Sequence, residues 1–170
     1  AAAVVLPPYT RLERVDDSKR LGRQERERLF QQIQLDAIAV GFGIVAADVI
    51  DAINIRRGTL LAMQSAIAEL RRRPDYLLVD GRDEVPSRCS QQAVVGGDQT
   101  VGSIAAASIV AKVARDRLME GFDTAWPGYG FARHKGYGTA AHLHAIRELG
   151  PSAIHRRTFR GVMPTADQHG

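Results

Sequence analysis

The order of apolar and polar positions divides this chain into alternating strand and helix signals. Ala1 to Leu6 is an unbroken apolar run that reads as a buried strand, closed by Pro7-Pro8 because proline has no N–H to give a ladder. Asp17-Ser18 then offers an N-cap, and Leu21, Leu29, Phe30 and Ile33 recur at helical spacing among charged residues, which predicts an amphipathic helix. Ile38 to Ala46 is apolar but interrupted by Gly41 and Gly43, the pattern of a strand that another backbone approaches closely. Asp48 is placed to cap a short helix reaching Asn54. From Thr59 to Leu70, the positions Leu60, Leu61, Met63, Ile67 and Leu70 predict a further helix. Arg71-Arg72-Arg73 close it where cations suit the dipole, and Pro74 stops it.

Tyr76-Leu77-Leu78-Val79 is continuously apolar, which predicts a strand buried on both faces, as in parallel sheets, running into Asp80-Gly81. A polar loop with Pro86 separates it from the strand Gln92 to Val95, which ends in Gly96-Gly97-Asp98. Val101 to Phe122 reads as a long Ala-rich helix whose small residues permit close packing on a sheet. Glycines and aromatics crowd Trp126 to Gly138, and a last helix covers Thr139 to Leu149 before Gly150-Pro151. The polar residues 163–170 are expected to be disordered. The alternation of strands and helices places the chain in the α/β class.

Composition narrows the class without naming a function. At 170 residues and 45% hydrophobic content, the chain is long enough for one globular domain with a real core, assigned to residues 1–162. A net charge of +4 and a pI near 9.6 are a mild bias toward polyanionic partners, one shared by many proteins that never meet nucleic acid. The single Cys89 excludes an internal disulfide framework and a Cys-based zinc site, and it fits a reducing cytoplasm. No run approaches the roughly 18 apolar residues of a membrane span. The opening residues lack the charged flank of a signal peptide and an initiator Met, so the chain reads as starting inside a longer protein.

Candidate chemistry lies where carboxylates follow strands. Asp80 and Asp98 stand beside glycines at predicted strand ends, where ligands of open α/β sheets gather; either the pair shares a divalent cation or each caps the segment after it. Asp83 and Glu84, in the polar loop, read as solvated. Phe131-Ala132-Arg133-His134-Lys135-Gly136-Tyr137-Gly138-Thr139 joins cations, an aromatic ring and pliable backbone. That suits gripping a phosphodiester and stacking on a sugar or base, and equally a basic loop tied down by its aromatics. His155-Arg156-Arg157 is either a further phosphate contact or an exposed basic turn.

Several runs, taken in order, carry a family resemblance. They are Asp17-Ser18-Lys19, Leu78-Val79-Asp80-Gly81, Gly97-Asp98, and Ser103 to Val113 with Arg115-Asp116-Arg117. Pro127-Gly128-Tyr129-Gly130-Phe131, His134-Lys135-Gly136-Tyr137-Gly138-Thr139 and His155-Arg156 follow. Together they resemble bacterial ribonuclease HII over nearly the whole chain. The resemblance implies an RNase H-like mixed sheet of five strands flanked by helices, with four active-site carboxylates. It implies an endonuclease that hydrolyses the RNA strand of RNA–DNA hybrids and cuts 5′ of ribonucleotides embedded in duplex DNA. Water is then the nucleophile, a 5′-phosphate is left, and two magnesium or manganese ions assist. By the same resemblance, Asp80 and Asp98 are the third and fourth carboxylates and metal ligands, and Tyr137 contacts the ribose 2′-hydroxyl. Lys19, Arg133, Lys135 and Arg156 are candidates for holding phosphates. A monomer is expected.

The departures also set expectations. Gly97 stands where the family commonly has lysine, Thr100-Val101-Gly102 lacks a frequent lysine and serine, and Thr158 replaces a frequent serine. The family's first strand, with its Asp-Glu pair and Gly-Arg-Gly loop, is absent from the sequence. Because that strand is expected mid-sheet, the chain by itself is expected to fold poorly and to be inactive; the competing reading is a noncatalytic RNA–DNA hybrid-binding remnant.

Overall fold

The computed structural model describes residues 1–10 and 21–163. The Asp17-Ser18 cap, Lys19 and nearly all of the polar tail lie outside the described residues. Eleven elements follow in order: β1 (Ala2–Val5), α1 (Arg23–Asp36), β2 (Ala39–Phe42), α2 (Ala47–Ile53), α3 (Ile55–Ala68), β3 (Leu77–Asp80), β4 (Gln91–Val94), α4 (Gly97–Thr100), α5 (Gly102–Ala125), α6 (Phe131–His134) and α7 (Ala140–Leu149). The class is mixed α/β, as the alternation predicts. The described residues form two compact units, one of Ala1–Val45 with Arg56–Val113, the other of Ala46–Ile55 with the residues from Ala114 onward.

In the first unit β1 runs antiparallel to β2, with Ala2 opposite Phe42 and Val5 opposite Ala39. β3 runs parallel to β4, with Leu77 opposite Gln91 and Asp80 opposite Val94. Among the described residues these are two separate two-stranded sheets, where the resemblance implied one sheet of five strands. Leu29, Phe30 and Ile33 of α1 bury against Ala105, Ala106, Ile109, Val110 and Val113 of α5, with Val4, Val40 and Phe42 packed alongside. Ala105 and Ala106 are fully buried in this cluster. Gly41 and Gly43 behave as their spacing suggests: a Cβ on Gly41 would stand 2.1 Å from the Ala66 carbonyl oxygen, and one on Gly43 1.7 Å from that of Ala62.

Other expectations are corrected. α1 begins at Arg23 with Gly22 at its cap position, so Leu21 precedes the helix. Ala46, not Asp48, caps α2, and Asp48 sits in its first turn. α3 ends at Ala68, leaving Arg71, Arg72 and Arg73 exposed beyond its last turn. β3 is buried on one face only. Leu77 and Val79 pack with Val85 against Leu60, Met63 and Ile67, while Leu78 is 41% exposed, because strand alternation turns it away from α3.

The second unit is built on Tyr129, Phe131 and Ile146, packed with Met119, Phe122, Trp126, Ile154 and Val162. Thr139 caps α7, its hydroxyl accepting the His142 amide at 3.2 Å.

Candidate active site

Asp80 is the last residue of β3 and is exposed. The Gly81 amide donates to the Val94 carbonyl at 3.0 Å, carrying the ladder one bond past the acid before the chain turns at Gly81, whose φ of 113° suits glycine alone. Asp98 does not stand directly at a strand end. β4 stops at Val94, the chain reverses through left-handed Gly96 (φ 68°), and Asp98 lies 3% exposed in the first turn of α4, which packs beside β3. Gly96 occupies the cap position of α4, so Asp98 is not the capping residue. Both acids thus follow the carboxyl end of one parallel strand pair. A Cβ at Gly97 would meet Ile104 Cδ1 at 2.5 Å, the end of a side chain that can turn aside.

Carboxylate oxygens suit hard divalent cations, and such ions take about six ligands or more. Asp80 and Asp98 match that donor chemistry but not that number. No group of three or more His, Cys, Asp or Glu side chains among the described residues is placed to hold a metal. Asp83, read as solvated, lies in an exposed ion pair, held by both Nε (2.9 Å) and Nη2 (2.6 Å) of Arg56, and that hydrogen-bonded guanidinium lowers its carboxyl pKa.

The second unit carries the cationic and aromatic candidates. Arg133 is exposed on α6, after which Lys135 (φ 52°) and Gly136 (φ 75°) turn left-handed and present Tyr137, 57% exposed. The Tyr137 amide donates to the His134 carbonyl at 2.9 Å, and its own carbonyl accepts from Thr139 N at 2.8 Å. Lys135 is a departure from its expected role. Its ammonium bonds Glu120 at 2.7 Å with the side chain only 13% exposed, which makes it an anchor of the loop. Arg115, named in the sequence only as part of the resemblance and given no role, donates from Nη2 to the Lys135 carbonyl at 3.1 Å and holds its guanidinium 5.9 Å from the Tyr137 ring centre.

Arg156 is half-buried, its guanidinium 3.5 Å from the Phe159 ring centre. Its pKa is lowered by burial first and by the charge of Arg115 second, so an anion placed near both cations would be welcome. Asp51 was also missed. Its carboxylate accepts the Arg157 amide (2.7 Å), the Thr158 amide (3.1 Å) and the Thr158 hydroxyl (2.5 Å), and the hydroxyl bond lowers its pKa most. Thr158 therefore supplies the hydroxyl that a serine would.

Two solved structures share this architecture. One is the ribonuclease H2 from Pyrococcus horikoshii OT3, with TM-score 0.70 and 23% identity over 88% of this chain and 78% of that one. The other is the PCNA:RNase HII complex from Archaeoglobus fulgidus, with TM-score 0.71 and 22% identity over 89% of this chain and 81% of that one. They define the fold as that of the type 2 ribonucleases H. The family model for ribonuclease HII matches residues 1–162. Ribonuclease HII of Geobacter sulfurreducens is 57% identical over 95% of this chain and 75% of its own length, and that of Nitrosococcus oceani is 51% identical over 95% and 81%. The chain belongs to the ribonuclease HII family. It is a ribonuclease H endonuclease by that membership, and among the described residues no helix is long and apolar enough to cross a membrane.

Proposed function

We propose that this endonuclease cleaves the RNA strand of RNA–DNA hybrids and cuts 5′ of ribonucleotides embedded in duplex DNA, with water as nucleophile and a 5′-phosphate as product. The observation that carries the reading is the departure of Asp80 and the Asp98-bearing helix from the same end of the β3–β4 pair. Divalent magnesium or manganese, when bound, supplies the positive charge that activates water and steadies the leaving oxygen. Asp80 and Asp98 would contribute oxygen ligands to it without completing the set. Tyr137 reads the ribose 2′-hydroxyl, the group that separates RNA from DNA. Arg133 and Arg156 hold phosphates, as does Lys19, while Lys135 adds charge only by releasing Glu120.

Cleavage of a duplex with one embedded ribonucleotide, assayed with the full chain in magnesium and in manganese, tests this reading. Asp80→Asn and Asp98→Asn should each lower the rate by about 100-fold or more. Cleavage untouched by Asp80→Asn would refute the assignment. Binding of the hybrid with no cutting in either metal would favour the noncatalytic reading.

A further inference from the structure

Three buried histidines stand behind Tyr137: His134, His142 and His155, at 8%, 5% and 7% exposure. We propose that they are positioning residues for ribonucleotide recognition: His155 and His142 form a hydrogen-bonded relay of neutral imidazoles, His134 stacks on it, and together they fix the Tyr137 backbone and so the place of its ring. The proposal rests on the reading of Tyr137 as the 2′-hydroxyl contact.

Amides can only donate and carbonyls can only accept, so the surroundings assign every ring proton. The Gly136 amide donates to His134 Nδ1 (3.2 Å), which leaves that nitrogen bare and makes Nε2–H the donor to the Tyr129 carbonyl (2.7 Å). His142 Nδ1 faces the Tyr137 carbonyl at 2.9 Å and must carry the proton, so its Nε2 is bare. The Ser152 amide donates to His155 Nδ1 (2.9 Å), which puts the proton on His155 Nε2, aimed at His142 Nε2 (3.1 Å). One neutral arrangement satisfies all these bonds. A proton added to His142 Nε2 would face another N–H across 3.1 Å.

The relay therefore runs from the Ser152 turn through His155 and His142 to the Tyr137 carbonyl. Packing holds its shape: the His134 and His142 rings stack at 4.1 Å and 19°, and Phe131 meets them edge-on at 5.9 and 5.5 Å. With its ring 57% exposed, Tyr137 is not held in place by burial; its backbone anchors act together with the Arg115 guanidinium, 5.9 Å from the ring centre, to set the ring position. The imidazoles touch the backbone of the recognition loop and act through it.

The test uses the full chain and compares binding, by fluorescence anisotropy, of a duplex with one ribonucleotide against the all-DNA duplex. His142→Phe keeps an aromatic ring and loses the donor, whereas His142→Asn places an amide N–H where Nδ1–H stood. The Phe variant should lose about tenfold of the ribonucleotide preference, and the Asn variant should recover most of it. Long-range ¹⁵N–¹H spectra of the unsubstituted protein should show His142 protonated at Nδ1, and His134 and His155 at Nε2. A His142 protonated at Nε2 would overturn the relay whether or not any variant folds. Loss of preference in Tyr137→Ala, with Phe and Asn variants equal to each other, overturns the relay alone. Full preference in Tyr137→Ala overturns both it and the Tyr137 reading.

Discussion

Gly43→Ala puts a methyl group into helix backbone. Its Cβ would stand 1.7 Å from the Ala62 carbonyl oxygen, 2.7 Å from Ala62 C and 2.9 Å from the Ala66 amide nitrogen, none of which can rotate aside. Ordinary contact begins at 3.4 Å, so α3 would have to withdraw by about 1.7 Å. It cannot do so freely, since Leu60, Met63 and Ile67 are packed on Leu77, Val79 and Val85. Overpacking a filled interior costs about 1–3 kcal/mol, and a clash with main chain belongs at the upper end. For a chain of this length about 3 kcal/mol lowers the melting temperature by roughly 6–12 °C. Thermal unfolding followed by circular dichroism measures it, with Gly121→Ala as the opposite-sign control. Gly121 lies within α5, and a methyl group there would meet nothing within 4 Å, so alanine should raise stability by about 0.5–1 kcal/mol through helix propensity. A Gly43→Ala protein melting within about 2 °C of the parent would refute the close approach to α3 of the chain leaving β2.

Other substitutions and conditions probe the second unit. Asp51→Ala removes the acceptor of the Arg157 and Thr158 amides, and should weaken binding of the ribonucleotide duplex several-fold, read by anisotropy, with Asp51→Asn intermediate. Arg115→Lys keeps the charge but loses the planar guanidinium near Tyr137, and should reduce ribonucleotide preference more than it reduces binding to plain DNA. His142 and His155 have pKa values lowered chiefly by burial, so the unfolded chain takes up protons that the folded one refuses. Their contribution is present above the unfolded value of about 6.5 and is lost as pH falls from there toward the lowered values. Urea midpoints measured from pH 8 to pH 5 should fall, and a His142→Asn protein should show a shallower fall.

Local signals carried much of this fold. Apolar runs ending in Pro or Gly marked β1 and β3, the Ala-rich stretch marked α5, and Gly41 and Gly43 announced a backbone neighbour. Asp80 and Asp98 could be named as candidates because an acid beside glycine after an apolar run is a local pattern. The uncovered face of β3 was not legible, since Leu77 and Leu78 are equally apolar and only the placement of α3 decides which is buried. Nor was the engagement of Lys135 by Glu120, 15 residues away.

What the sequence by itself determined was the kind of each longer element, though not the short helices α4 and α6, and the chemical types gathered in its loops, because hydrophobic period, proline and glycine act over a few neighbouring residues. Tertiary structure alone decided the partners: Asp51 reaches amides 106 and 107 residues away, and His142 meets His155 across 13. A hydrogen bond depends on a few tenths of an ångström between groups that only the folded chain brings together, and no spacing along the sequence encodes that distance.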